Sequence, residues 1–319
     1  MSHCRVLLVA ALLAACSREH PASSPVVGEG QLAVPGGSIW YQVSGTGAGT
    51  PLVLLHGGPG FPSYYLKPFE ALGDDRPVIR YDQLGAGKSG GTTDTTLFTI
   101  PHFVAELDSL RASLGVSRWD VLGHSWGSIL AVEYYRAHPD RVRALVLASP
   151  VLDIPAFEQR ARSLVLTLSD SAQQAIAAAE TSGDFASPGY QAAMNEFYGL
   201  YVWRRPEQPD LDSAMAQFNQ AVYAYMQGPS EFTITGTLKM WSALPWLGTI
   251  AAPTLFTVGE FDEVGPELVR QHASLVPGAR VELLAGAAHL TPWDAREDNV
   301  RVVREFLLGV DSTPAAPAP

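Results

Sequence analysis

The pentapeptide Gly123-His124-Ser125-Trp126-Gly127 constrains this chain more than any other feature. It stands directly after the apolar run Asp120–Leu122 and just before a helical pattern that opens near Ile129. Small residues two before and two after a serine permit a tight turn from strand to helix, which lifts the serine hydroxyl above the strand end. The rest of the chain fits a fold that can hold such a turn. Short, largely apolar runs at Leu52–Leu55, Val78–Tyr81, Ala144–Ala148, Thr254–Val258 and Arg280–Leu284 alternate with helical patterns such as Phe103–Leu114, Ile129–His138 and Asn299–Leu308. Strand–helix–strand alternation predicts an α/β fold with a mostly parallel sheet covered on both faces. From Gln31 the pattern is alternating instead, and Ile39–Val43 after the turn Pro35-Gly36-Gly37 predicts a hairpin strand.

Between Leu152 and Leu247 the texture changes. Ser171–Glu180, Tyr190–Trp203 and Asp212–Gln227 predict helices, with breaks at Gly183, Pro188 and Pro206/Pro209. The expected organisation is therefore a core of residues 30–151 and 248–310 with an all-helical cap, 152–247, inserted between two strands. Most of the cap aromatics Phe197, Tyr198, Tyr201, Trp203, Phe218, Tyr223 and Tyr225 would serve core packing, and some could line a pocket against the sheet, with nothing in the sequence to say which. The Pro/Ala-rich end, 311–319, is expected to be disordered.

Charge and cysteine placement narrow the partners. Lys and Arg number 21 against 32 Asp and Glu, for a net charge of −11, and no basic cluster occurs, which excludes nucleic acid as an expected partner. No apolar run reaches the roughly 18–20 residues of a membrane span. The two cysteines, Cys4 and Cys16, both lie at the N-terminus. Val6–Ala15 is an unbroken apolar stretch ending in small residues, the pattern of a signal peptide over residues 1–15. Leu13-Ala14-Ala15-Cys16 is similar to a bacterial lipobox, so Cys16 is the expected lipidation site and residues 16–29 a tether. The expected location is the exported face of a bacterial membrane, held only by that lipid, with a secreted or periplasmic soluble form as the alternative. No disulfide is expected in the mature body.

A serine nucleophile needs a base and an acid that orients it, in the chain order Ser, Asp or Glu, His for this kind of sheet. Asp262 follows the strand Thr254–Val258, and His289 follows Arg280–Leu284, so both fall at the sheet edge that carries Ser125. Glu260 and Glu263 are competitors for the acid. His56-Gly57-Gly58-Pro59-Gly60 follows Leu52–Leu55, and its glycines let backbone N–H groups approach a substrate carbonyl. Gly58 and Trp126 are thus the candidate oxyanion donors. His56 precedes the serine and is expected to fix its own loop. The stretch Asp82–Ser89 has the outline of a phosphate loop but carries Asp82 where that loop needs glycine, so no phosphate cofactor is expected, and no metal.

Taken together, His56–Gly60, Tyr81–Ser89, Gly123–Gly127, Gly228–Gly236, Gly259–Val264 and His289–Asp294 resemble the proline iminopeptidase family of α/β-hydrolases, and in particular its tricorn-interacting branch. The resemblance runs from about Gln31 to Leu308. It implies an α/β-hydrolase fold with a helical cap, a triad of Ser125, Asp262 and His289, and oxyanion donors at Gly58 and Trp126. It also implies that Glu231 and Glu263 hold the free amino group of the substrate. Three departures stand out: His124 where many members have glycine, Leu84 in place of an arginine, and the lipobox. The expected activity is a serine aminopeptidase that releases N-terminal proline or another small apolar residue through an acyl-enzyme. An amino-acid amidase, or an esterase or lactonase, is the alternative, and a non-catalytic peptide-binding lipoprotein is the reading from a different class. Short peptides or amino-acid amides are the expected partners.

Overall fold

The computed structural model describes residues 25–205 and 209–313. The expected signal peptide, Cys16 and residues 314–319 of the expected tail lie outside the described residues. Eight strands run in chain order: β1 (Gly28–Val34), β2 (Gly37–Ser44), β3 (Leu52–Leu55), β4 (Val78–Asp82), β5 (Trp119–His124), β6 (Val142–Ala148), β7 (Thr254–Gly259) and β8 (Arg280–Leu284). They form one sheet in the order β1-β2-β4-β3-β5-β6-β7-β8. β1, β2 and β4 pair antiparallel, and every pairing from β4 across to β8 is parallel. β1 begins at Gly28, two residues inside the expected tether, because Gly28 already pairs with Val43.

The helices are α1 (Ile100–Ser113), α2 (Trp126–Ala137), α3 (Ile154–Val165), α4 (Asp170–Ser182), α5 (Pro188–Tyr201), α6 (Pro209–Ala216), α7 (Gln220–Met226), α8 (Pro266–Ser274), α9 (Thr291–Asp294) and α10 (Arg296–Asp311). Two apolar clusters cover the sheet. One contains Val53, Leu55, Val121 and Leu147, the other Leu52, Leu54, Leu122 and Val146. Neighbouring residues of one strand point to opposite faces, so a strand such as Leu52–Leu55, buried throughout, must be apolar at every position. Each such side chain contributes about 1.5–3 kcal/mol on burial.

The edge of the body is locked by charge. Arg76 and Asp120 are both fully buried and 3.0 Å apart, Arg143 reaches Asp120 at 2.6 Å, and Arg76 reaches Asp311 at 2.7 Å. Asp311, assigned from the sequence to the tail, is thus the last residue of α10, held there by this network.

The insertion leaves the body after β6 and returns before β7, and its two ends are tied at the stem. Asp153 accepts the Ala156 N–H at 2.7 Å, capping α3, and accepts the Ser242 hydroxyl at 2.7 Å with its other oxygen. Ile154 N–H donates to Trp241 and Ala243 N–H to Leu152. Three sequence expectations need correction here. The helix α3 was not foreseen. The single helix expected over Asp212–Gln227 is two, α6 and α7, because Asn219 breaks it. Its side-chain amide donates to Gly85 O at 2.7 Å and its side-chain oxygen caps Ala221. Nor is the insertion all helical: between Met226 and Leu247 the chain is irregular.

Candidate active site

Ser125, Asp262, His289, Gly58 and Trp126 gather at the C-terminal edge of the parallel sheet, while Glu231 reaches it from the cap. Ser125 is the turn residue between β5 and α2, at φ 55° and ψ −122°. A side chain at Gly123 would overlap the Gly127 carbonyl, and one at Gly127 would overlap the Leu55 carbonyl. The two glycines therefore let β5, the helix start and β3 close on one another, and the serine is left projecting.

Asp262 and His289 arrive from the ends of β7 and β8. The Asp262 carboxylate lies 2.9 Å from His289 Nδ1, and both are almost fully buried. Of the competing acids, Glu260 is exposed and accepts the Gly286 N–H at 2.9 Å. Glu263 faces the other ring nitrogen, with Oε1 3.7 Å from Nε2. Asp262 alone of the three partners Nδ1. Burial lowers the His289 pKa, but the Asp262 charge and hydrogen bond, with Glu231 behind them, outweigh it and raise it above the usual histidine value. Asp262 is held low despite its burial, by His289 and by the Val264 N–H.

Ser125 and His289 line one cavity of about 80 Å³, together with Gly57, Gly58, Tyr198, Trp203, Phe218, Tyr223 and Glu231. Among the described residues the Ser125 hydroxyl makes no hydrogen bond, while its carbonyl accepts the Ser128 hydroxyl. Gly58 and Ser125 also border a much smaller void of about 10 Å³, lined by Trp126, Ile129, Ile154, Phe157 and Glu231. Trp126 is the first residue of α2, so its N–H has no intrahelical acceptor and is available to an anion. Its indole N–H donates to Gln83 at 2.8 Å.

His56 does brace its loop: its Nε2 accepts the Gln83 N–H at 2.9 Å, and its Nδ1 lies 2.9 Å from Gly57 O. The segment Asp82–Ser89 wraps around its own carboxylate, which accepts from Ser63 N–H at 2.8 Å and Lys88 N–H at 2.9 Å.

Glu231 comes from the irregular stretch of the insertion. It accepts the Tyr223 hydroxyl at 2.6 Å and lies 3.4 Å from the Gln227 amide. Burial raises its pKa. Glu263 is 1% exposed, lines neither cavity, and has an unpartnered Oε2. Burial, then Glu231, then Asp262 push its pKa well above the usual carboxylate range. Sequence reasoning gave no role to Tyr65, Ser149 or Asp294, and named Tyr223 only as one of seven cap aromatics. Asp294 gathers the N–H groups of Ala288, Arg204 and Arg205, fastening the insertion to the His289 loop.

Comparison with known proteins agrees with this geometry. Residues 50–295 match the alpha/beta hydrolase fold family. Over 282 residues the chain is 38% identical to the proline iminopeptidase of Heyndrickxia coagulans, spanning 88% of this chain and 98% of that one. The chain belongs to the proline iminopeptidases. A second member, from Saccharolobus solfataricus, is 34% identical over 286 residues, 88% of this chain and 92% of its own. Among solved structures, the proline iminopeptidase of Mycobacterium smegmatis superimposes with a TM-score of 0.82 at 31% identity, covering 89% of this chain and 99% of that one. VinJ superimposes with a TM-score of 0.85 at 30% identity, covering 90% and 99%. The family is one of hydrolases, so this member is a serine hydrolase of the proline iminopeptidase type. That sets aside the non-catalytic binding protein considered from the sequence.

Proposed function

We propose that this proline iminopeptidase releases an N-terminal proline or other small apolar residue from short peptides through an acyl-Ser125 intermediate. The observation that carries the reading is the placement of Glu231 in the cavity shared by Ser125 and His289. Glu231 and Glu263 are two buried acids with no lysine or arginine partner among the described residues, both raised by burial. A substrate ammonium would supply the missing countercharge, and its distance from Ser125 would then fix the scissile bond one residue from the N-terminus.

In this scheme Ser125 Oγ attacks the carbonyl carbon as its proton passes to His289 Nε2, and Asp262 stabilises the imidazolium. The oxyanion meets the N–H groups of Gly58 and Trp126, each typically worth about 2.7–4 kcal/mol in the transition state. The proton then goes to the departing amine, and water repeats the sequence on the acyl-enzyme. Amino-acid amides would meet the same groups and serve as minimal substrates.

Chromogenic amides of proline, alanine and leucine, free and N-acetylated, test the reading beside a simple acyl ester. Free proline and alanine amides should be turned over preferentially, and Ser125→Ala should abolish all turnover. Equal rates on acetylated amides would overturn the amine-holding role. We further propose that Cys16 carries a lipid anchor on an exported protein, supported by its lipobox-like setting. Cys16→Ser should move the protein from membrane to soluble fractions, and an unchanged distribution would refute the anchor.

A further inference from the structure

His124, the residue before the nucleophile, is used by none of the steps above, yet it is buried to 1% exposure and both its ring nitrogens are engaged. Gly57 N–H donates to the Tyr65 hydroxyl at 2.6 Å, and that hydroxyl lies 2.9 Å from His124 Nδ1. On the far side His124 Nε2 lies 2.9 Å from the main-chain oxygen of His289. A backbone N–H can only donate and a carbonyl can only accept. One proton order therefore satisfies every atom: Gly57 N–H to Tyr65 Oη, Tyr65 O–H to Nδ1, and Nε2–H to His289 O. His124 is neutral in that order, in keeping with a pKa that burial, then the neighbouring His289, lower to about 3. The same carbonyl also accepts the Ser149 hydroxyl at 2.9 Å, while His289 N–H donates to Tyr201 O at 3.1 Å.

We propose that His124 is a positioning residue that fixes the main chain of His289 relative to the loop bearing Gly57 and Gly58, and so holds the base in register with the oxyanion donors. The inference rests on His289 acting as the base, as proposed above. The base carries its working nitrogen at the end of a side chain, so a small shift of its backbone is passed on to Nε2. Misplacement of about 1 Å can cost on the order of 10²-fold in rate.

Two substitutions separate the bond from the bulk. The amide of glutamine reaches as far as Nε2 and can still donate to His289 O. The amide of asparagine reaches only as far as Nδ1 and cannot. His124→Gln should keep kcat within about threefold of the parent. His124→Asn should lower it by about 10–100-fold with KM changed less than about twofold. The loss should be equal on a free prolyl amide and on an acyl ester, because the base serves both. Adding Ser149→Ala should deepen the asparagine defect by more than it affects the parent. Thermal melting of each variant checks folding. Equal activity of the Gln and Asn variants at matched melting temperature would overturn the proposal, as would a defect confined to KM. Ser125→Ala in parallel keeps the tests apart: turnover surviving there would refute the underlying mechanism and not the role of His124.

Discussion

The body and the inserted cap contribute to the same cavity by different means. Ser125, Asp262, His289 and the Gly57–Gly58 turn all sit at the ends of parallel strands, where sheet register fixes them and glycines set the spacing. The cap contributes Glu231, Tyr223, Tyr198 and Phe218 from short helices and an irregular stretch, tied to the body by the Asp153–Ser242 stem and by Asp294. In the proposed mechanism the bond-breaking groups are placed by sheet register, and most of the groups that contact the rest of the substrate come from the cap, which also holds the His289 loop through Tyr201 and Val202. Loop-borne groups on a rigid scaffold follow the same division.

The largest effect should come from the body's own machinery. Asp262→Asn should lower kcat by about 10⁴-fold, as loss of the orienting carboxylate does in other triads. The pH profile sharpens this. Base function needs a neutral ring and the His289 pKa is raised, so kcat/KM should increase with pH through a limb lying above the ordinary histidine value of about 6.5. In Asp262→Asn only Glu231 still opposes burial, so the residual limb should move to lower pH. A limb that stays put would show that Asp262 does not set the base.

Stability should divide along the same line. Asp120→Ala leaves buried Arg76 and half-buried Arg143 with Asp311 alone as acidic partner among the described residues and should cost up to about 3–5 kcal/mol in urea unfolding. Glu106 is a buried acid whose only hydrogen-bond partner among the described residues is the Leu84 N–H, and burial raises its pKa to about 8. The unfolded chain gives up that proton near 4.5, so the folded state loses stability as pH rises from there towards 8. Glu106→Gln should therefore stabilise at pH 8 by on the order of 2 kcal/mol and give little at pH 4.5. A gain that does not depend on pH would rule out ionisation as its source. Smallest should be Asp153→Ala, which removes the α3 cap and the stem bond for about 0.5–2 kcal/mol. It should alter amide turnover more than global unfolding, and a loss as large as that of Asp120→Ala would erase the distinction between the regions.

The same division explains what could be read in advance. The strands were legible because a central parallel strand is buried on both faces and must be apolar throughout, as Leu52–Leu55 is. The Ser125 turn and the order of Asp262 and His289 were legible because strand ends carry them. The break at Asn219 was not, since it depends on Gly85, 134 residues away in the chain. Nor was the pairing of Tyr65 with His124, which no local pattern announces. Glu231 came only from the family resemblance: a lone glutamate in a loop has no periodicity to mark it.

The central claim is that the cap chooses the substrate while the body performs the chemistry. It is tested most directly by the ratio of kcat/KM for free and N-acetylated prolyl amide in the parent and in Glu231→Gln. A charged hydrogen bond contributes about 1.5–3 kcal/mol, so the ratio should fall by roughly tenfold to a hundredfold while turnover of an acyl ester is unchanged. An unchanged ratio, or an equal loss on the ester, would contradict the account.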